Sequence, residues 1–223
     1  MVKKKLFVLA SLVLCFFSAV AAPPDSVRIK GIPHPCTWIN PPKNFEVTPE
    51  GLSITATQGT DFYNYPGGGY NIATAPILVF KPDKDFVLTA KIKVDFKKMY
   101  DGGAIYVMVD STQYIKFLFE NSQYGTLSVC SGVTNTYTDD SNNAVTTKNE
   151  VYFRLAKSGN LYGLFYSPDG QRWEAIRLVN FVPKGPVSIG FSSQSPLGES
   201  CTSIFSEIVY TPGAFKNPKT GDM

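Results

Sequence analysis

The sequence predicts an all-β domain made of two packed antiparallel sheets. Three observations carry that expectation. Apolar residues recur at every second position in one segment after another, clusters of Gly, Pro, Asn and Asp separate the segments, and no stretch holds apolar residues at helical spacing over three turns. Many short strands with 13% aromatic residues bury their apolar faces best between two sheets.

Taken in order, the chain opens on a segment that is not part of this domain. Lys3, Lys4 and Lys5 precede an apolar run over 6–20, and Ala19-Val20-Ala21 supplies the small-x-small pattern of a signal-peptidase site. The run is too short for a spanning helix of roughly 20 residues. Residues 1–21 are therefore expected to be a cleaved leader, which makes the mature protein secreted or periplasmic. Residues 22–35 then form an N-terminal arm, 36–212 the sandwich and 213–223 a polar C-terminal tail.

The longest alternation sets Phe86, Leu88, Ala90, Ile92, Val94 and Phe96 against Val87, Thr89, Lys91, Lys93 and Asp95, a strand with one buried face. Ile105, Val107 and Val109 repeat it, as do Ile115, Phe117 and Phe119. Val151, Phe153 and Leu155 follow, then Val187, Ile189 and Phe191, then Ile204, Ser206 and Ile208. Asp110-Ser111-Thr112 joins two of these segments. A three-residue rather than a two-residue loop is chosen there, with Val107 expected opposite Phe117, so that both apolar sets gather on one face. Tyr106, Lys116 and Glu120 then share the other face, with Lys116 and Glu120 roughly 13 Å apart along the strand. Charged groups on a sheet's second face suit a concave, partly wet surface. A second hairpin lies at Ser167-Pro168-Asp169-Gly170-Gln171-Arg172-Trp173, where Asp-Gly makes a tight turn and Trp173 packs over it. This turn resembles the structural Asp-boxes of sialidase blades, but no repeated copy points to a propeller.

Charge removes some classes of partner. The chain carries 21 basic and 18 acidic residues, and without the three leader lysines it has 18 of each. A neutral domain has no general pull on phosphates or anionic lipid, so neither nucleic acid nor a membrane surface is expected as a partner. No later segment is long and apolar enough to span a bilayer. Beyond the leader, the cysteines are Cys36, Cys130 and Cys201. An oxidising compartment permits one disulfide, Cys36 with Cys201 if the terminal strands are neighbours; three buried thiols are the alternative.

Several segments, in order, resemble one family. They are Trp38-Ile39-Asn40-Pro41-Pro42 with Phe45, Thr60-Asp61-Phe62-Tyr63, Asp85-Phe86, the run 102–110, Tyr114-Ile115-Lys116 leading to Glu120, Thr138-Asp139, the strand of Arg154, and the runs 166–177 and 187–196. The family is a bacterial and fungal domain of unknown function with a concanavalin A-like jelly-roll sandwich, one fungal branch of which is named for regulation of enolase. Tyr63 and Tyr114 stand where the family more often has Trp. The resemblance implies a fold; the wider fold holds lectins, glucanases and carbohydrate-binding modules, so function must come from the site.

Candidate chemistry follows from that fold. Glu120 is the best single candidate for a catalytic acid, with Asp61, Asp110 and Asp139 as possible partners, because glycan hydrolysis uses two carboxyls across the scissile bond. The Glu-x-Asp-x-x-Glu pattern of the laminarinase-type members is missing. Binding is therefore assigned to a concave face holding Asp61, Tyr63, Tyr114, Lys116, Glu120, Asp139, Arg154 and Arg177, where the two arginines are expected chiefly to form internal salt bridges and otherwise to clamp an acidic sugar, with Tyr65 and Tyr70 as further rings for stacking on sugars. The single histidine, His34, sits between prolines in the arm and supports neither a triad nor a multi-histidine metal site. The segment Thr138-Asp139-Asp140-Ser141-Asn142-Asn143 offers oxygens for a structural calcium without EF-hand spacing, and reads as a solvated loop; no cofactor is expected. The reading is an exported, non-catalytic glycan-binding sandwich whose partner is a carbohydrate or polysaccharide. A glycoside hydrolase or lyase using Glu120 and an Asp partner is the first alternative, and a protein-interaction module the second.

Overall fold

Alternating sequences form strands because branched and aromatic side chains pack on a pleated surface while their neighbours point away. A computed structural model describes residues 26–223 and contains sixteen strands. They are β1 (Cys36–Ile39), β2 (Asn44–Thr48), β3 (Gly51–Thr57), β4 (Phe62–Asn64), β5 (Asn71–Ala73), β6 (Ile77–Phe80), β7 (Phe86–Val94) and β8 (Gly102–Asp110). There follow β9 (Gln113–Asn121), β10 (Leu127–Asn135), β11 (Tyr137–Thr146), β12 (Glu150–Ser158), β13 (Leu161–Ser167), β14 (Glu174–Asn180), β15 (Ser188–Gln194) and β16 (Ser200–Pro212). The leader expected over 1–21 lies outside the described residues. No helix among the described residues is long and apolar enough to cross a membrane.

Two seven-stranded antiparallel sheets result, ordered β1-β6-β15-β8-β9-β10-β11 and β14-β13-β12-β7-β16-β3-β2, with β4 and β5 as a separate hairpin. This is the expected jelly-roll sandwich. Leu88, Ala90 and Ile92 of the second sheet meet Ile105, Val107, Ile115 and Phe119 of the first in the core. Between β9 and β12, the rings of Phe117 and Phe153 stack at 3.7 Å between centroids.

The β8–β9 hairpin corrects one expectation. Val107 opposes Ile115, and Asp110 opposes Gln113, so Ser111 and Thr112 alone make the turn and Val109 is bulged out of register. The loop of three, with Val107 opposite Phe117, is not formed. Asp110 explains the tight turn: its Oδ1 accepts from the backbone N of Thr112 at 2.7 Å, the Thr112 hydroxyl at 2.7 Å and the backbone N of Gln113 at 2.9 Å. The bulge adds the residue that restores parity. Tyr106 lies opposite Lys116 and Gly102 opposite Glu120, all on the face turned away from the core.

The expected Cys36–Cys201 disulfide is also absent; both thiols are free and buried. Cys36 opposes Phe80, which opposes Ile189 of β15, whereas the Cys201 carbonyl accepts from the Ser193 hydroxyl farther along the same strand. Those two levels are four residues, roughly 13 Å, apart. A disulfide needs Cα atoms within about 7 Å.

Both ends of the described chain dock. Val27 bridges Cys36, and Val27, Ile29 and Ile32 enter the core. In the tail, Phe215 is buried against Phe165, and Nη1 of Arg154 donates to the Thr220 carbonyl and to Asp222 Oδ1, both at 2.6 Å. Phe215→Ala is expected to cost about 2 kcal/mol, the value of one buried phenyl group. Urea denaturation of variant and parent measures it; an unchanged midpoint would mean that the tail does not dock in solution.

Candidate functional site

Side chains on the outer face of the first sheet form two zones. In the apolar zone, Phe62 of β4 lies over Tyr106 and Tyr114, with ring centroids 5.9 and 5.7 Å away, and Met108, Ile77 and Val79 complete the cluster. Beyond Phe62 the face opens into a cavity of about 420 Å³. Lys116 stands at the boundary. Its ammonium donates to Asp61 Oδ1 at 2.6 Å and to the Phe62 carbonyl at 3.2 Å. Asp61 also accepts from the Phe62 backbone N at 2.7 Å, which ties the start of the β4–β5 hairpin to the sheet. Burial by itself would favour the neutral amine, but the Asp61 carboxylate outweighs it and holds the Lys116 pKa above the ordinary lysine range.

The floor runs across β9, β10 and β11. Gly132 opposes both Lys116 and Asp140, and a Cβ there would come 3.1 Å from Thr138 Cγ2 and 3.5 Å from Asp140 Oδ1. Its missing side chain keeps the floor low between a cation and a carboxyl. One row along, the Cys130 thiol lies 3.0 Å from Asn142 Oδ1 and 3.5 Å from Glu120 Oε1. Burial, with Glu120 beside it, raises the Cys130 pKa and keeps this thiol a donor. Burial pushes the Glu120 carboxyl up to about 7, against the opposing pull of Lys116, and Asp140 adds to the rise. Asp140 is itself raised by burial, with Lys116 opposing. At the far wall, Gln194 Nε2 donates to the Tyr100 carbonyl at 2.8 Å, which leaves its buried Oε1 without a partner among the described residues. Tyr63, Tyr65, Tyr70 and Tyr100 supply rings around the opening.

The fold sorts the residues singled out in the sequence. Asp61, Tyr63, Tyr65, Tyr70, Lys116 and Glu120 come together around the cavity. Tyr114 faces the same side but is sealed beneath Phe62, so it offers no surface for stacking. Arg154 belongs to β12 of the other sheet, where Asp222, Thr220 and the Trp173 ring, 4.0 Å from its guanidinium carbon, engage it. Arg177 on β14 reaches Asp139 Oδ2 at 3.0 Å, and the two clamp the margins of the two sheets outside the cavity. Asp110 is used in its turn. The run 138–143 is not a loop but part of strand β11, so Asp139 turns to Arg177 while Asp140 turns into the cavity, and the oxygens do not gather for calcium. Among the described residues, no three His, Cys, Asp or Glu side chains group as metal ligands. Gln194 and Tyr100 were not singled out from the sequence; Asp140 and Asn142 appeared there only as oxygens of the 138–143 segment, and Cys130 only among the thiols. Parity alone names Asp140, Asn142 and Cys130 once β10 and β11 are registered on Lys116.

Residues 38–213 match the family described as a protein of unknown function, DUF1349. The chain belongs to that family. Curated proteins give no match. Among solved structures, this DUF1349 chain is similar to a functionally unknown protein from Saccharomyces cerevisiae, with TM-score 0.74 and 22% identity over 80% of this chain and 96% of that one. It is also similar to a xylan beta-1,4-xylosidase from Bacillus halodurans, TM-score 0.57, 9% identity, covering 72% of this chain and 32% of that one. A Bacteroides ovatus xyloglucan-locus GH43B protein gives TM-score 0.57 and 13% identity over 72% of this chain and 32% of that one. The DUF1349 chain thus spans about a third of the length of these glycoside hydrolase family proteins, and shares with them a sandwich fold.

Proposed function

We propose that this DUF1349 chain is an exported, non-catalytic glycan-binding protein whose ligand sits in the cavity between Asp61, Lys116, Glu120 and Asp140. The observation that carries the reading is the composition of that cavity. Carboxyl and amide groups able to pair with sugar hydroxyls line its floor, and four tyrosine rings at its mouth can lie against the apolar faces of pyranoses. The basic-apolar leader pattern supports export. The likeness to glycoside hydrolase family structures supports a carbohydrate ligand only at the level of fold.

Affinity electrophoresis through a broad panel of soluble polysaccharides tests the reading. Retardation by at least one glycan is expected, and its loss in Gly132→Val, whose new side chain would stand on the cavity floor against Thr138 and Asp140. Folded protein that no glycan retards counts against it, as does a Gly132→Val variant that still binds.

A second reading is favoured by one observation: a carboxyl pushed up to about 7 has the proton affinity of a general acid. Glu120 would then protonate a leaving oxygen. New reducing ends released from a bound glycan, and lost in Glu120→Gln, would replace the binding reading with this one.

A further inference from the structure

Resting on the glycan reading, we infer that the cavity selects a sugar bearing a free amine, such as a 2-amino-2-deoxyhexose oligomer, over N-acetylated, neutral or uronic sugars. Three carboxyls, Asp61, Glu120 and Asp140, face one ammonium, Lys116, and that ammonium is already engaged by Asp61 and the Phe62 carbonyl. With Asp61 paired to Lys116, the excess is acidic through Asp140, joined by Glu120 in the part that is ionised near neutral pH. Gln194 adds no positive charge to this lining: its amide orientation is fixed by the bond to Tyr100, and its remaining polar atom is an acceptor.

The same residues argue against the other sugar classes. A uronic carboxylate would enter among carboxyls with no free cation to receive it. An N-acetyl group brings one amide N–H but no charge. A neutral sugar pairs through hydroxyls and leaves the excess acid uncompensated. A protonated amine supplies three donors and a charge, and the tyrosine rings at the mouth attract cations through their faces. Asp140, which carries no salt bridge among the described residues, stands beside the open floor at Gly132 and is the natural counter-ion.

Isothermal titration calorimetry at neutral pH with four probes tests this: a glucosamine tetramer, its fully N-acetylated form, xylotetraose and a tetragalacturonate. The glucosamine tetramer is expected to bind about tenfold more tightly than any of the others, the gain expected of one charge-assisted contact. Asp140→Asn, with an unchanged circular dichroism spectrum, is expected to shrink that preference to near unity. Equal or tighter binding of the acetylated, neutral or acidic probe overturns the amine assignment and leaves the glycan reading standing. Retention of the full preference in Asp140→Asn also overturns it. Binding of none of the four, together with silence across the polysaccharide panel, removes the glycan reading itself.

Discussion

Lys116→Met is expected to destabilise the fold by about 3–5 kcal/mol, because it leaves the Asp61 carboxylate buried without its partner. The side chains of both residues are largely withdrawn from water, and the contact between them is 2.6 Å. Methionine keeps most of the stem and removes the ammonium with its bonds to Asp61 and the Phe62 carbonyl. The loss then reads the electrostatics rather than the packing. Asp61→Asn should cost less, since an amide oxygen still accepts from the Phe62 backbone N and from the lysine. The double variant separates the pair from its surroundings. If the ion pair is the cause, Lys116→Met combined with Asp61→Asn is less destabilised than the sum of the two single changes. Additive losses in urea denaturation would mean that the two residues act independently, and the tie between the β4–β5 hairpin and the sheet would lie elsewhere.

How much of this site could be read from sequence depended on how local the information was. Alternation is local, and it put Lys116 and Glu120 on one face away from the core even though the register first assigned to their hairpin was wrong. The bulge at Val109 and the shorter turn cancel in parity, so the face assignment survived an error in pairing. Strand order is not local. Nothing near Arg154 says that β12 pairs with β7 and β13 in the opposite sheet, so its charge was placed across the sandwich from where it stands. Asp139 and Asp140 show a finer limit. Adjacent residues on a strand face opposite ways, and choosing between them needs the β10–β11 pairing, which itself shifts register after Val129. The apolar lid over Tyr114 was invisible for a related reason: Phe62 arrives from a hairpin more than fifty residues earlier. The buried orphan acceptor of Gln194 is a property of packing alone.

Glu120→Gln is expected to stabilise the protein at alkaline pH by about 3 kcal/mol and to leave it unchanged in acid. Burial raises the carboxyl from 4.5 to about 7, and each pKa unit is worth about 1.4 kcal/mol. The sign follows from proton counting. Between the unfolded and folded pKa values the folded chain holds a proton that the unfolded chain has released, so stability falls as pH rises through that window and levels off above it. Below the window both states are protonated, and the neutral acid and the amide are nearly equivalent; the Cys130 thiol can donate to either. Urea denaturation of both proteins at about pH 4 and about pH 8 gives the measurement. A gap that opens with pH identifies a carboxyl retained at a cost to folding, which is the mark of a group kept for a ligand rather than for the fold. A gap independent of pH would assign the effect to packing, and the charged floor of the cavity would lose its central acid.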